Sequence, residues 1–405
     1  MNDILRGVRV LEVATHVFVP AGAAVLAEWG ADVIKVEHPV TGDAYRGLVT
    51  AGLRKTYAGS DPSFQAVNRS KQSIGIDLHS PAGREVLGTL VDRSDVFLTN
   101  FLGDARRALA VEADDIRTRN PSIVYVRGTG LGPHGPEADR PGYDATAYWA
   151  RAGIGDALTP QDADWPITQR SAFGDLAAGL AVAGAVSAAL YKRAMTGEGS
   201  IVDVSLLGVG LWQLQPDVVA SKLGRDSAVA LGMGRGRWNP LAAYYRTRDD
   251  RFLFLCMLDA DTYWPDFCRL IGHPEWVDDP RFVDMNTRRE HADACVALLD
   301  QVFAKRPLAE WRALLSDLEG AWSPVQTAEE LHDDPQVAAN GYLTDLELAS
   351  GTPLTVVTSP VKFDEQTTVE AQRAPEPGEH TESILLEAGY TWSQIATLKA
   401  TGAIN

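Results

Sequence analysis

Asp175 is the side chain whose type and setting bear most directly on chemistry. It follows Phe173 and Gly174 and heads a long run of small and apolar residues that ends at Gly197. Read alone, an aspartate at the head of a helix is a cap that accepts hydrogen bonds from the first free amides. The other use of a carboxylate so placed is nucleophilic catalysis, which needs neither metal nor redox group. A helix start would favour its anion by about 0.3–1 kcal/mol. Metal chemistry finds no support. The three cysteines, Cys256, Cys268 and Cys295, form no CxxC pair, and the eight histidines show no HxH or HExxH spacing.

The charge pattern narrows the partners. A net charge of -17 disfavours nucleic acid, which needs a basic footprint. The acid is concentrated in residues 326–405, with 13 Asp/Glu against 3 Lys/Arg, whereas residues 65–110 hold 6 Lys/Arg against 5 Asp/Glu. An anionic ligand is therefore expected on the N-terminal half, unless the acidic end is only a solvated surface. No basic and apolar leader opens the chain, and no uninterrupted apolar run reaches the roughly 20 residues of a membrane helix. With few and scattered cysteines, a soluble protein of the reducing cytoplasm is expected, with no membrane partner.

The elements that must hold Asp175 alternate strand and helix. VRVLEVA (8–14), ADVIKVEHP (31–39), SIGIDL (73–78), VFLTNF (96–101), SIVYVRGTG (122–130) and SIVDVSLL (200–207) read as strands. PAGAAVLAEWG (20–30) and residues 80–95 read as helices, the latter with Ser80 as cap and Pro81 at its first position. This alternation predicts an α/β protein with a parallel, Rossmann-like sheet. No GxGxxG follows VRVLEVA, so dinucleotide binding is disfavoured. The helix at 175–197 is rich in Ala and Gly and is expected to be buried. Residues 242–258 read as a hairpin turning at Arg248-Asp249-Asp250-Arg251, followed by Trp-rich helices. The expected domains are a large one from 1–215 and 335–405 and a smaller α+β one at 225–330. The last 75 or so residues should give one or two strands near TPLTVVTSPVKF and a terminal helix, TESILLEAGY, packed on the large domain.

Several segments in order resemble the formyl-CoA transferase family, the family III CoA-transferases, which also include carnitine CoA-transferases and alpha-methylacyl-CoA racemase. They are GVRVLEV, WGADVIKVEHPVTGDAYRG (29–47), NRSKQSIGIDL (68–78), SDVFLTNF (94–101), GPHGPEADRPGYD (132–144), FGDLAAGLAVAGAVSAAL (173–190) and TGEGSIVDVSLL (196–207). IGHPEWVDDPRF (271–282), SPVQTAEELHDDP (323–335) and RAPEPGEHT (373–381) agree as well. The resemblance implies a homodimer of interlocked chains, with acyl-CoA and carboxylic acids as substrates, coenzyme A as co-substrate and no permanent cofactor. It makes Asp175 the nucleophile. A carboxylate suits this work, because its mixed anhydride and its thioester with CoA are both as activated as the starting thioester. A serine ester would be too stable.

The resemblance places other residues too. Val17 and Phe18 fall near the thioester; Arg46, Lys71, Ile76, Leu78, His79, Asn100 and Phe101 match CoA-binding positions. The family's NFxPGxxxRLG arginine is replaced by Ala108, leaving Arg106 or Arg107 to serve a CoA phosphate from a shifted position, or both as surface charges. Gly232, Gly234 and Gly236 in GMGRGRW (232–238) match the family's glycine loop, whose amides would stabilise an oxyanion; the plain alternative is an interdomain linker. Tyr143 stands where the racemases carry their histidine. A phenol, whose ordinary pKa is about 10, is a poor base at neutral pH but a good donor beside an acyl group. CoA transfer is therefore favoured over 2-methylacyl-CoA epimerisation, and the intact Asp175 favours it over non-catalytic acyl-CoA binding.

Overall fold

The computed structural model describes residues 3–160, 162–223, 238–368 and 370–405. The chain divides into two compact units, 1–215 with 335–405, and 216–334.

Six strands form the sheet of the larger unit: β1 (Arg9–Val13), β2 (Asp32–Glu37), β3 (Gln72–Gly75), β4 (Val96–Thr99), β5 (Val124–Thr129) and β6 (Ser200–Ser205). Every pairing is parallel, and the order is β3-β2-β1-β4-β5-β6. The central strands β4 and β5 carry apolar residues at successive positions because both faces are covered, whereas the edge strand β6 is partly open. Val10, Val96, Leu98, Val124 and Val126 point into one layer; Leu11, Val13, Phe97 and Tyr125 point into the other. The first layer is closed by the helix Phe18–Glu28 and the long helix Phe173–Thr196. The second is closed by the helix Pro81–Val91 together with Ile384, Leu385 and Ile395 from the chain's end. The C-terminal segment thus packs on this sheet as expected, but with two helices, Thr381–Glu387 and Trp392–Ala400.

The two helices of the first layer touch through glycines. A Cβ on Gly22 would lie 2.8 Å from the Gly179 carbonyl oxygen, and one on Gly179 would lie 3.0 Å from the Gly22 nitrogen. The long helix is not buried all round, as its composition had suggested. Ala178, Val182, Ala183 and Val186 are fully buried, whereas Leu176, Tyr191 and Met195 are exposed. By length and composition this helix is also apolar enough to cross a membrane, although Asp175, Lys192 and Arg193 interrupt its apolar run. Here its inner face belongs to the protein core.

Ser80 and Gly197 behave as their types dictate. The Gly83 amide donates to Ser80 Oγ at 2.9 Å, and Gly197 ends the long helix at φ 75°. The strand expected over 73–78 is shorter, because the chain leaves the sheet after Gly75 and Ile76 instead bridges to Ile404. In the smaller unit β7 (Tyr244–Arg246) and β8 (Phe252–Leu255) form the expected hairpin, with β9 (Trp322–Pro324) as an added third strand. Trp264, Phe267, Phe303 and Trp311 fill its core. β10 (Leu343–Glu347) and β11 (Pro353–Val357) make a separate hairpin in the larger unit.

Candidate active site

Strand order reverses between β1 and β4: from β1 the sheet grows toward β2 and β3, and then from β4 in the opposite direction. The loops leaving these two strands therefore diverge and open a crevice at their carboxyl ends, where open α/β sheets place ligands. A cavity of about 220 Å³ lies there. Thr15 to Phe18 after β1, Asn100 to Leu102 after β4, and Gly128 to Gly130 at the end of β5 form three of its walls; Pro141 to Tyr143, Asp175 and Leu206 complete it.

Each wall has a local cause. The Asn100 amide spans the crevice, accepting from the Thr15 N–H at 3.0 Å and donating to the Thr15 carbonyl at 2.7 Å. His16 adopts a left-handed φ of 65°, held by its N–H donating to Asp43 Oδ1 at 3.1 Å. Its ring meets Tyr143 edge-on at 5.8 Å. Gly130 and Gly142 let two backbones meet, since a Cβ on Gly130 would lie 2.6 Å from Gly142 Cα. That contact brings Tyr143 to the cavity.

Asp175 sits in the first turn of the long helix. The helix starts from Ala172 in a left-handed conformation, φ 62°, with no side-chain cap of its own. The cap comes from another segment: the Gly174 N–H donates to Asp144 Oδ1 at 3.1 Å. A Cβ on Gly174 would lie 2.5 Å from that oxygen, so glycine is needed for the approach. Burial, and secondarily the charge of Asp144, push the Asp175 carboxyl up to about 7. Asp144 is itself raised by burial, against hydrogen bonding from Gln169 and the helix amides. The result is a half-buried carboxylate of enhanced basicity at the floor of an accessible cavity, able to attack a carbonyl carbon or to take a proton.

The description "CoA-transferase family III" matches residues 5–381 of this chain. The chain belongs to that family. It is 31% identical to the (R)-2-hydroxy-4-methylpentanoate CoA-transferase of Clostridioides difficile, over 98% of both chains. It is 29% identical to the cinnamoyl-CoA:phenyllactate CoA-transferase of Clostridium sporogenes, over 98% of this chain and 96% of that one. Among solved structures, a CAIB/BAIF family protein from Brucella suis is similar with a TM-score of 0.82 and 28% identity, covering 96% of this chain and all of the other.

Within this family III CoA-transferase, Val17, Phe18, Asn100, Phe101, Tyr143 and Asp175 meet at one cavity. The other anticipated CoA contacts lie apart from it. Lys71 is buried, and its ammonium already donates to Glu12, Asn68 and the Pro20 carbonyl at 2.6, 2.9 and 2.8 Å. All three of its protons are used inside the protein. Arg46 chelates Glu37 at 2.8 and 2.9 Å, donates to the Pro375 carbonyl and lies over the Phe64 ring. Ile76 and Leu78 are buried, and only His79 of that segment is exposed. Arg106 is buried, donating to the Phe101 carbonyl at 2.5 Å and to Glu112 at 3.1 Å. It therefore braces the loop after β4 and presents no free face to a phosphate. Arg107 is exposed and paired with Asp104 and Asp139. Gly232, Gly234 and Gly236 lie outside the described residues. Sequence reasoning passed over Leu102, Gly142, Leu206 and Asp144. For Asp144 a signal existed, its place beside Tyr143 in the GYD segment.

Proposed function

We propose that this enzyme transfers CoA from an acyl-CoA to an acceptor carboxylate through Asp175. The carboxylate attacks the thioester carbonyl, giving an aspartyl-acyl anhydride and CoA thiolate. The thiolate attacks the aspartyl carbonyl, leaving an aspartyl-CoA thioester and releasing the first acid. The acceptor carboxylate attacks that thioester, and the thiolate it expels then takes the new acyl group and frees Asp175. Bonds balance at every step without metal or redox group. The observation that carries this reading is Asp175 itself, a basic carboxylate at the switch-point cavity. Two relatives are named for 2-hydroxy acids, so apolar 2-hydroxy acids are the first acceptors to assay.

The deciding experiment is to mix enzyme with acyl-CoA and no acceptor, then add hydroxylamine. A hydroxamate on the peptide holding Phe173, Gly174 and Asp175 is the expected result. Asp175→Asn should retain CoA binding and lose turnover; near wild-type exchange by that variant would end the proposal. Tyr143 in place of the racemase histidine argues against epimerisation, and deuterium wash-in at the α-carbon of a 2-methylacyl-CoA, at a rate matching transfer, would reverse that preference.

We also propose a Rossmann-like large domain, on the strand order, and an interlocked homodimer acting in the cytoplasm. The resemblance and the exposed apolar side of the long helix support the dimer; three free cysteines suit a reducing compartment.

A further inference from the structure

Asp144 is a buried carboxylate that the transfer sequence does not use, yet its Oδ1 accepts from the Gly174 N–H in the first turn of the nucleophile's helix. Ala172 supplies no cap, so the amides of that turn rely on the Tyr143–Asp144 segment. The same segment places Tyr143 at the cavity and begins the helical turn Asp144–Ala150, whose Tyr148 ring packs on Gly174. A neutral acceptor would satisfy the amide equally well. A charged one, buried beside a second carboxylate, costs free energy that capping alone does not require.

We propose that Asp144 is a positioning residue for CoA transfer: it fixes the Asp175 carboxylate relative to Tyr143 and, through its charge, keeps Asp175 a strong nucleophile. This rests on the reading of Asp175 as the attacking group. A more basic carboxylate is the better nucleophile once ionised, and a fixed one loses no attack geometry. The other titratable groups around Asp175 are His16 and Tyr143, which line the same cavity, and Tyr45, close enough to feel its charge and covered by Arg54.

The test uses Asp144→Asn and Asp144→Ser in the full-length enzyme, both of which keep an oxygen acceptor and remove the charge. Steady-state CoA exchange is followed from pH 5 to 9 with the acyl-CoA that labels the wild type. The expected result is a kcat lowered about tenfold or more with little change in KM, and an acid limb displaced to lower pH. A wild-type kcat and acid limb in either folded variant would overturn the proposal. So would a lowered kcat with the limb unmoved, which is what simple loss of a cap produces. Hydroxylamine trapping on the wild type separates the two levels. A hydroxamate at Asp175 with unaffected Asp144 variants sinks only this inference, whereas its absence sinks the nucleophile reading.

Discussion

At Asp175 two influences on ionisation oppose each other, and their sizes decide the outcome. The helix start stabilises the anion by about 0.3–1 kcal/mol, less than one pKa unit. Burial and Asp144 act the other way and prevail, leaving the carboxyl at about 7. Transfer should therefore rise with pH through about 7 and then level off; a rate flat from pH 5 to 9 contradicts this. The linkage to stability has a definite sign. A carboxyl whose folded pKa is raised contributes fully below its unfolded value, and that contribution is lost as pH rises toward 7. Asp175→Asn should accordingly stabilise the protein at pH 8 relative to pH 4, by about 2–4 kcal/mol. Urea midpoints at the two pH values measure it, and equal shifts at both would refute it. The sequence made Asp175 and Tyr143 visible because motif and chemistry coincide there. It gave no means of seeing that Lys71 and Arg46 are consumed internally, since their partners Glu12 and Glu37 lie on β1 and β2 and meet them only once strands pair.

Elements were legible where local rules suffice. Ser80, Pro81 and Gly197 mark helix ends through their own backbone and side-chain chemistry, and the structure places all three as read. Ser80→Ala should cost about 1 kcal/mol of stability and leave turnover intact, as denaturation and exchange assays on the variant would report. The face of the long helix was not legible, because Ala and Gly fit equally well on a buried or an open side. The contact at Gly179 is the sharper case. Its substitution by leucine must displace Ala21 and Gly22, so a loss of about 3 kcal/mol or more is expected. Activity should fall further than stability, because Asp175 is one turn away and misplacement by about 1 Å costs on the order of a hundredfold. A folded Gly179→Leu enzyme of normal kcat would contradict that coupling.

For the whole molecule, the exposed residues Leu176, Tyr191, Met195 and Trp212 are more large apolar surface than one helix and its successor ordinarily leave to water. A dimer covering them is the expected state at micromolar concentration, and an active monomer by light scattering would rule it out. The spatial order of the six strands followed from no local signal. Alternating strands and helices require parallel pairing, but which strand becomes central depends on long-range packing. Once the order is known the cavity's place follows, because only between β1 and β4 do the connections part.

The glycine contact between the two helices also limits how the enzyme can be altered. Phe18 begins one helix and Asp175 lies in the first turn of the other, so opposite sides of the cavity are joined a turn or so below by touching backbone. That joint acts as a clamped vice: its jaws cannot be opened to admit a bulkier acid without breaking the clamp. Room for a larger substrate has to be carved from other lining side chains instead, at Phe101 and Leu102 on the loop after β4 or at Leu206. Variants selected for new acids should collect their changes there and leave Gly22 and Gly179 untouched.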